Sequence, residues 1–352
     1  LVGPLQAVEN RNIPDFDDLT FNRGGGIVEI EFWMDIGDIL SSQVGNLINY
    51  RVCLRKDERL GVCVHEEQLR QFSKSWLAAG KKFEFSDKVK PRSLLGKTSK
   101  STDFYRREDG RYVDSFVFGM DKLTLSLTPP DQQRYPTANT VKRFLRDGIR
   151  YVQLNSRAMR LPCAATRPTE LELDGSNLAR VVGVLLGEGY LDRRRENEFS
   201  PKEALDRWTD HLRYALPDLK AIAWDRRQAD NAEFIVLKYE SGLECPSWLI
   251  SDGTLRMLAL TVLAFLPSSP GIYMVEEPEN GVHPKALEIM LRSLATVPVS
   301  QVLIATHSPF VVQHAGRDAL LCFSRDQEGT IITPGKDHPA LKEMVSRGVS
   351  NT

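Results

Sequence analysis

Gly271-Ile272-Tyr273-Met274-Val275-Glu276-Glu277-Pro278-Glu279-Asn280-Gly281-Val282-His283-Pro284 is the stretch from which the fold is read. Its first half is a short apolar run with β-branched residues, the composition of a buried parallel strand. Two adjacent carboxylates, a Pro and an acidic loop end it abruptly. Open α/β sheets bind ligands at the carboxyl ends of their central strands, which is where these carboxylates fall. Neighbouring side chains on a strand point to opposite faces, so Glu276 and Glu277 can take different jobs. One can hold Mg²⁺ through its water shell, and the other can orient an attacking water. A strand end followed by a solvated acidic turn would carry the same residues, so the neighbouring sequence must decide.

Upstream, Ser251-Asp252-Gly253-Thr254 opens the apolar helical run Leu255 to Leu260. Downstream, Val302-Leu303-Ile304-Ala305 is a second strand, ending in Thr306-His307-Ser308-Pro309. In this order and at this spacing the three segments resemble the signature motif, Walker B strand and switch histidine of ABC-type ATPases. The likeness is to the branch holding RecF, Rad50, SMC heads, OLD-like proteins and the AAA-15/AAA-21 ATPases. It is close over residues 245–325 and general in pattern elsewhere.

The resemblance implies an α/β fold: an ABC-ATPase head, with a P-loop NTPase-like parallel-sheet lobe, an antiparallel β subdomain and a helical arm or lid insertion. It implies ATP and Mg²⁺ as cofactors. Glu276 would contribute to the metal site, although the family more often has Asp there. Glu277 would polarise the hydrolytic water. His307, at a strand end, can donate a hydrogen bond to a γ-phosphate. Ser251, Asp252 and Gly253 sit at a helix start, where free N–H groups and the helix dipole favour an anion. In the family this turn meets ATP held on the opposite subunit, so catalysis needs a dimer or higher homo-oligomer. Glu279 and Asn280 fall where the family's D-loop crosses that interface. A plain N-cap for Ser251 and a solvated turn for Glu279 and Asn280 are the other roles open. Arg256 would reach the same phosphate or pair with an acid, and His283 before Pro284 reads as a helix cap.

Composition narrows the class. The chain has 352 residues, 41% hydrophobic and 26% charged, ordinary for a globular protein with a large core. A formal net charge of −1 provides no global basic field, so any DNA contact must come from local patches. Five cysteines are scattered without CxxC or CxxH spacing, which favours reduced thiols in a cytoplasmic protein. No apolar run approaches the ~18 residues that span a bilayer, and LVGPLQAVEN lacks the basic head and apolar core of a signal peptide. The chain starts at Leu1, which reads as a fragment or the ordered part of something longer.

Taken in order, residues 1–118 are expected to form an N-terminal lobe with the antiparallel β subdomain. Gly24-Gly25-Gly26 looks at first like a phosphate cradle, but no Lys-Ser/Thr follows, so it reads as a turn before a strand. No GxxxxGK[ST] occurs anywhere, and Leu95-Gly96-Lys97-Thr98 lacks the upstream glycine. The P-loop is therefore expected upstream of residue 1. The basic, Ser-rich run 81–107 reads as a solvated loop. Residues 119–219 form the expected helical insertion or lid, with Arg193-Arg194-Arg195 as its basic cluster. Residues 220–352 form the expected C-terminal ATPase lobe. Residues 243–250 read as a strand, and the segment from Leu320 to Ile332 is expected to close the sheet edge.

The functional expectation is an ATPase that clamps two heads with ATP and hydrolyses it to control a separate nuclease or toxin effector, or DNA. The setting would be bacterial antiphage defence or DNA repair. A scaffold that assembles a partner without turnover is the alternative, but it has no need of both Glu277 and His307. A metal nuclease built from Glu276, Glu277, His283 and His307 lacks ligands at a recognised spacing.

Overall fold

A computed structural model describes residues 19, 25–35, 47–72, 91–98, 103–108, 112–186, 201–266, 271–327 and 329–346. The chain divides into two compact units, Leu1–Arg146 with Gln327–Gly329, and Asp147–Asp326 with Thr330–Thr352.

The first unit is built on an antiparallel sheet whose order follows the sequence. Its strands are β1 (Ile27–Asp35), β2 (Leu47–Asp57), β3 (Gly61–Phe72), β4 (Arg92–Thr98), β5 (Asp103–Arg106) and β6 (Val113–Phe116). The β2–β3 hairpin is closed by its own turn chemistry. Asp57 accepts from the N–H groups of Arg59 and Leu60 at 2.9 and 3.0 Å, and Gly61 takes φ +73°, which glycine adopts without penalty. Ile48, Tyr50, Leu69, Leu95 and Tyr105 form the core with Leu125 and with Ala138 and Val141 of helix α1 (Pro136–Asp147).

Three buried ionisable side chains, Glu67, Lys97 and Asp103, are held inside this unit. Glu67 accepts from Tyr50 Oη at 2.8 Å and from the N–H groups of Thr124 and Leu125 at 2.5 and 2.8 Å, while burial pushes its pKa up. Lys97 pairs with Asp103 at 3.1 Å and donates to the Gly119 carbonyl at 2.9 Å. The Gly-Lys-Thr of the sequence is thus strand interior. A Cβ on Gly96 would run into the Phe104 ring, so that glycine is needed for packing. The solvated-loop reading of 81–107 is corrected here for the described part of the run. Arg92, Arg106 and Arg107 bond to Arg107 O, Ser93 O and Asp114, because β4 and β5 pair through this segment. Lys88, Lys90 and Lys100 lie outside the described residues.

The second unit mixes three sheets with helices. Strand β7 (Ile149–Val152), helix α2 (Ser156–Arg160), α3 (Leu178–Leu185) and α4 (Pro201–Leu212) come first. Strands β8 (Leu219–Arg226), β9 (Glu233–Tyr239) and β10 (Glu244–Pro246) form an antiparallel sheet. Then α5 (Asp252–Thr261), β11 (Ile272–Glu276), α6 (Pro284–Ala295), β12 (Gln301–Ala305) and α7 (Pro309–His314) alternate. Strands β12, β11 and β7 are parallel, in that order, with β11 central. One core joins Val152, Leu178, Val182, Trp208, Leu237, Leu258, Val275 and Met290. Within it Trp208 Nε1 of α4 donates to Thr261 Oγ1 of α5 at 2.9 Å, satisfying a wholly buried indole.

Two expectations fail locally. The strand expected over 243–250 stops at Pro246, which has no N–H for the ladder, and a 3₁₀ turn over Ser247–Leu249 follows. The segment expected to close the sheet edge instead forms a hairpin of β13 (Leu321–Arg325) and β14 (Thr330–Pro334), paired from Leu321↔Pro334 to Arg325↔Thr330. Among the described residues these strands pair only with each other, antiparallel. Helix α8 (Pro339–Ser346) follows. Among the described residues no helix is long and apolar enough to cross a membrane.

Candidate active site

Strand β11 sets the site. Tyr273 and Val275 point into the core, so strand periodicity turns Met274 and Glu276 to the opposite, exposed face. The parallel register pairs Met274 with Tyr151 and Val275 with Val152, bringing Tyr151 and Gln153 of the neighbouring strand beside Glu276. Tyr151 Oη donates to Glu276 Oε2, and Gln153 Nε2 reaches the same oxygen at 3.3 Å. No bond within the described residues engages Oε1. A chelating cage is absent: among the described residues no three His, Cys, Asp or Glu converge on one point. Mg²⁺ needs no such cage, since it commonly takes one or two carboxylates and fills its shell with phosphate oxygens and water. A single oriented carboxylate with a free oxygen fits that chemistry.

At Glu277 the strand ends by a backbone reversal. Its φ of +44° lies in the left-handed region, which costs a non-glycine residue roughly 1–2 kcal/mol. The conformation is held by Glu277 N–H donating to Ala305 O at 2.8 Å and by Asn280 N–H donating to Glu277 O at 3.2 Å. Asn280 Nδ2 donates to Glu277 Oε2 at 2.5 Å, so the carboxylate is aimed as well as the backbone. Strain kept in place by several bonds is characteristic of functional positions.

On the adjacent strand, β12, the chain leaves the sheet at Ala305, and His307 follows two residues later with an exposed ring. No hydrogen bond to the His307 ring occurs among the described residues, leaving it able to donate outward. Thr306 Oγ1 donates to Glu279 Oε1 at 2.5 Å and accepts from Ser308 N–H at 3.0 Å. Glu279 Oε2 is buried without a partner among the described residues.

The Ser251 turn is built as a capped helix start. Ser251 Oγ accepts from Thr254 N–H at 3.2 Å, leaving the N–H groups of Asp252 and Gly253 without a partner among the described residues. Arg160 fixes the turn from α2: it pairs with Asp252 at 2.6 Å and donates to the Ile250 carbonyl at 3.0 Å. Gly253 packs against Gly281 and Val282 of the loop after β11. Arg256 donates to the Leu154 carbonyl at 3.3 Å. His283 caps α6, its Nδ1 accepting from Lys285 N–H at 3.3 Å.

The family model for "AAA domain, putative AbiEii toxin, Type IV TA system" matches residues 130–313, more than half of the chain. The chain belongs to this AAA-domain family. All eight site residues named from the sequence lie inside the matched span. Among curated proteins none matches this AAA-domain chain. Solved structures similar to it include an SMC head bound to the C-winged helix domain of ScpA, at 11% identity, TM-score 0.49, covering 94% of this chain and 82% of that one. The SMC head domain from Thermotoga maritima is similar at 9% identity, TM-score 0.31, covering 82% and 74%. A Smc head with coiled coil and joint from Pyrococcus yayanosii is similar at 11% identity, TM-score 0.32, covering 42% of this chain and 29% of that one. The family assignment rests on the family match and takes nothing from these likenesses.

Within the AAA-domain chain the structure gathers Glu276, Glu277, Glu279, Asn280 and His307 at the carboxyl ends of β11 and β12. It sets Gly253 against the same loop. The cluster Arg193-Arg194-Arg195 lies outside the described residues. Sequence reasoning missed Tyr151, Gln153, Arg160 and Thr306. Tyr151 in β7 and Gln153 just after its end are two residues apart, a spacing that becomes useful only once β7 is known to lie beside β11. Thr306 lies in the Thr-His-Ser-Pro run, where its contact with Glu279 across the loops leaves no local signal.

Proposed function

We propose that this chain is an ABC-type ATPase head. It binds ATP–Mg between two heads, dimerises on ATP and hydrolyses it to control a separate nuclease or toxin effector, or DNA, in the cytoplasm. Antiphage defence or DNA repair is the setting that such coupling suits. The observation that carries the proposal is Glu277: a carboxylate at the end of the central parallel strand, in a left-handed backbone, aimed by Asn280. Asn231 and Val299 share the left-handed backbone, so what singles out Glu277 is that its carboxylate is also aimed by Asn280 at the end of the central parallel strand.

In this reading Glu277 orients and polarises the attacking water from its fixed position. His307 donates to the γ-phosphate from the adjacent strand end. Ser251, Asp252 and Gly253 offer N–H groups to the phosphate held by a second copy. Glu276 holds the metal through the oxygen that Tyr151 and Gln153 leave free. Mg²⁺, when bound, neutralises charge on the phosphate oxygens. The β- and γ-phosphates also need a P-loop, which these 352 residues lack as a GxxxxGK[ST] motif.

The deciding experiment uses the full-length protein with Glu277→Gln. ATP binding should be retained, since the triphosphate is gripped elsewhere, while hydrolysis falls by ~10²–10⁴-fold. Absence of hydrolysis by the wild type would sink the enzyme reading and leave a scaffold. Wild-type turnover in Glu277→Gln would remove the residue on which the proposal stands.

A further inference from the structure

Between the ends of β11 and β12 runs a chain of hydrogen bonds that extends beyond the one holding the Glu277 backbone. Glu277 N–H donates to Ala305 O at 2.8 Å, tying the first loop to the last residue of β12. One residue further, Thr306 Oγ1 donates to Glu279 Oε1 at 2.5 Å and accepts from Ser308 N–H at 3.0 Å. The hydroxyl therefore both donates and accepts, with one partner in the loop of Glu277 and the other in the loop of His307. Thr306 and the Ser308 N–H that donates to it flank His307 in the chain. Glu279 is half-buried, and its second oxygen is enclosed without a partner among the described residues. Enclosing a carboxylate with one oxygen unpaired is unfavourable, so its placement is maintained against a cost.

We propose that Thr306 and Glu279 are positioning residues for hydrolysis. Their hydrogen bond locks the loop of Glu277 to the loop of His307, so that the water-orienting carboxylate and the phosphate-facing imidazole are held at a fixed separation. This assigns Glu279 to the relay within one head rather than to contact with nucleotide or with a second head. The inference rests on the ATPase reading above and adds to it a reason why the two loops act together. Tight pre-alignment of this kind matters because a displacement of about 1 Å can cost ~10²-fold in rate. The relay touches neither the triphosphate nor the metal, so its loss should appear in turnover and leave nucleotide affinity unaltered.

The test compares Thr306→Val, which keeps the shape and removes the hydroxyl, with Thr306→Ser, which keeps the hydroxyl. Glu279→Ala and Glu279→Gln form the second arm, since Gln retains an acceptor oxygen for Thr306. In the full-length protein, ATP affinity and single-turnover hydrolysis are measured separately, and thermal midpoints confirm folding. Thr306→Val and Glu279→Ala should each lose about 10²-fold in hydrolysis with ATP affinity within about twofold of wild type. Thr306→Ser and Glu279→Gln should restore most of it. The double variant Thr306→Val with Glu279→Ala should be no worse than either alone, because both break the same bond. Wild-type hydrolysis in Thr306→Val overturns the relay, as does a Thr306→Ser as slow as Thr306→Val. Weakened ATP binding in Glu279→Ala returns that residue to nucleotide contact and overturns its assignment here. A wild type that hydrolyses no ATP is a different result, since it removes the ATPase reading and this inference with it. Should Thr306→Val fail to fold, Glu279→Ala against Glu279→Gln still decides: a slow Ala variant beside a near-wild-type Gln variant supports the relay, and equal rates for the two overturn it.

Discussion

A Cβ placed on Gly253 would sit 2.6 Å from the carbonyl oxygen of Gly281. The turn that opens α5 and the loop that follows Glu277 are thus in backbone contact within one chain. Any side chain at 253 must push one of them away. Gly253→Ala should therefore destabilise the second unit by about 1–3 kcal/mol, the usual cost of overpacking. The melting temperature should fall by roughly 2–10 °C at this size. Gly316→Ala is the control, because nothing lies within 4 Å of its Cβ position. Equal melting temperatures for Gly253→Ala and Gly316→Ala would show that the loop yields freely.

How much of this site the sequence made legible depends on the range of each contact. β11, β12 and the capped start of α5 are local events: an apolar run, a polar stop, a Ser three residues before the N–H it accepts from. Their patterns are short and self-contained, so they could be read directly. Tyr151 and Glu276 stand 125 residues apart, and Arg160 and Asp252 are joined by a fold, not by a pattern. Such contacts follow from which strand pairs with which, and a parallel register leaves no turn between the partners to announce it. The same holds in the first unit. Lys97 read as part of a solvated basic run because its partner Asp103 becomes visible only once β4 and β5 pair. Pro246 marked the end of β10 in plain sight, through the N–H it lacks.

Dimerisation through the Ser251 turn gives a prediction about assembly. Ser251 is exposed, and the N–H groups behind it have no partner among the described residues. In the full-length protein carrying Glu277→Gln, ATP with Mg²⁺ should shift the mass in light scattering to a dimer or larger. Adding Ser251→Arg removes the cap and fills the turn, and the shift should vanish while ATP affinity of each head is retained. An undiminished shift would show that this turn does not meet a second copy.

Acid stability of the first unit should depend on Asp114. The Arg107 guanidinium, bidentate at 2.6 Å, and the Tyr135 hydroxyl hold its pKa down to about 2. A carboxylate lowered in the folded state binds more protons unfolded, so its contribution is complete above about pH 4 and disappears as pH falls towards 2. Asp114→Asn should lower the melting temperature at pH 6 and converge with wild type near pH 2. A constant gap between the two proteins across that window would mean that the charge contributes nothing and only shape was lost.

Tyr151 bears on the metal. Its hydroxyl and the Gln153 amide both engage Oε2 of Glu276, so the carboxylate is held by that oxygen and Oε1 has no bond among the described residues. Partners that hold a metal-binding side chain in place typically contribute 10–100-fold in metal affinity. Tyr151→Phe keeps the ring on the sheet face and deletes only the donor, so β7 should pair with β11 as before. ATP binding measured against Mg²⁺ concentration should then need about tenfold more metal, with binding at saturating Mg²⁺ unchanged. Glu276→Gln should be affected more strongly in the same titration, because it alters the carboxylate proposed to hold the metal. Glu277→Gln should leave that titration unmoved, since the role proposed for its carboxylate is to orient water. If Tyr151→Phe follows the wild-type Mg²⁺ curve, the hydroxyl does not orient Glu276. If Glu277→Gln shifts the curve as far as Glu276→Gln, the division of labour between the two adjacent carboxylates is wrong.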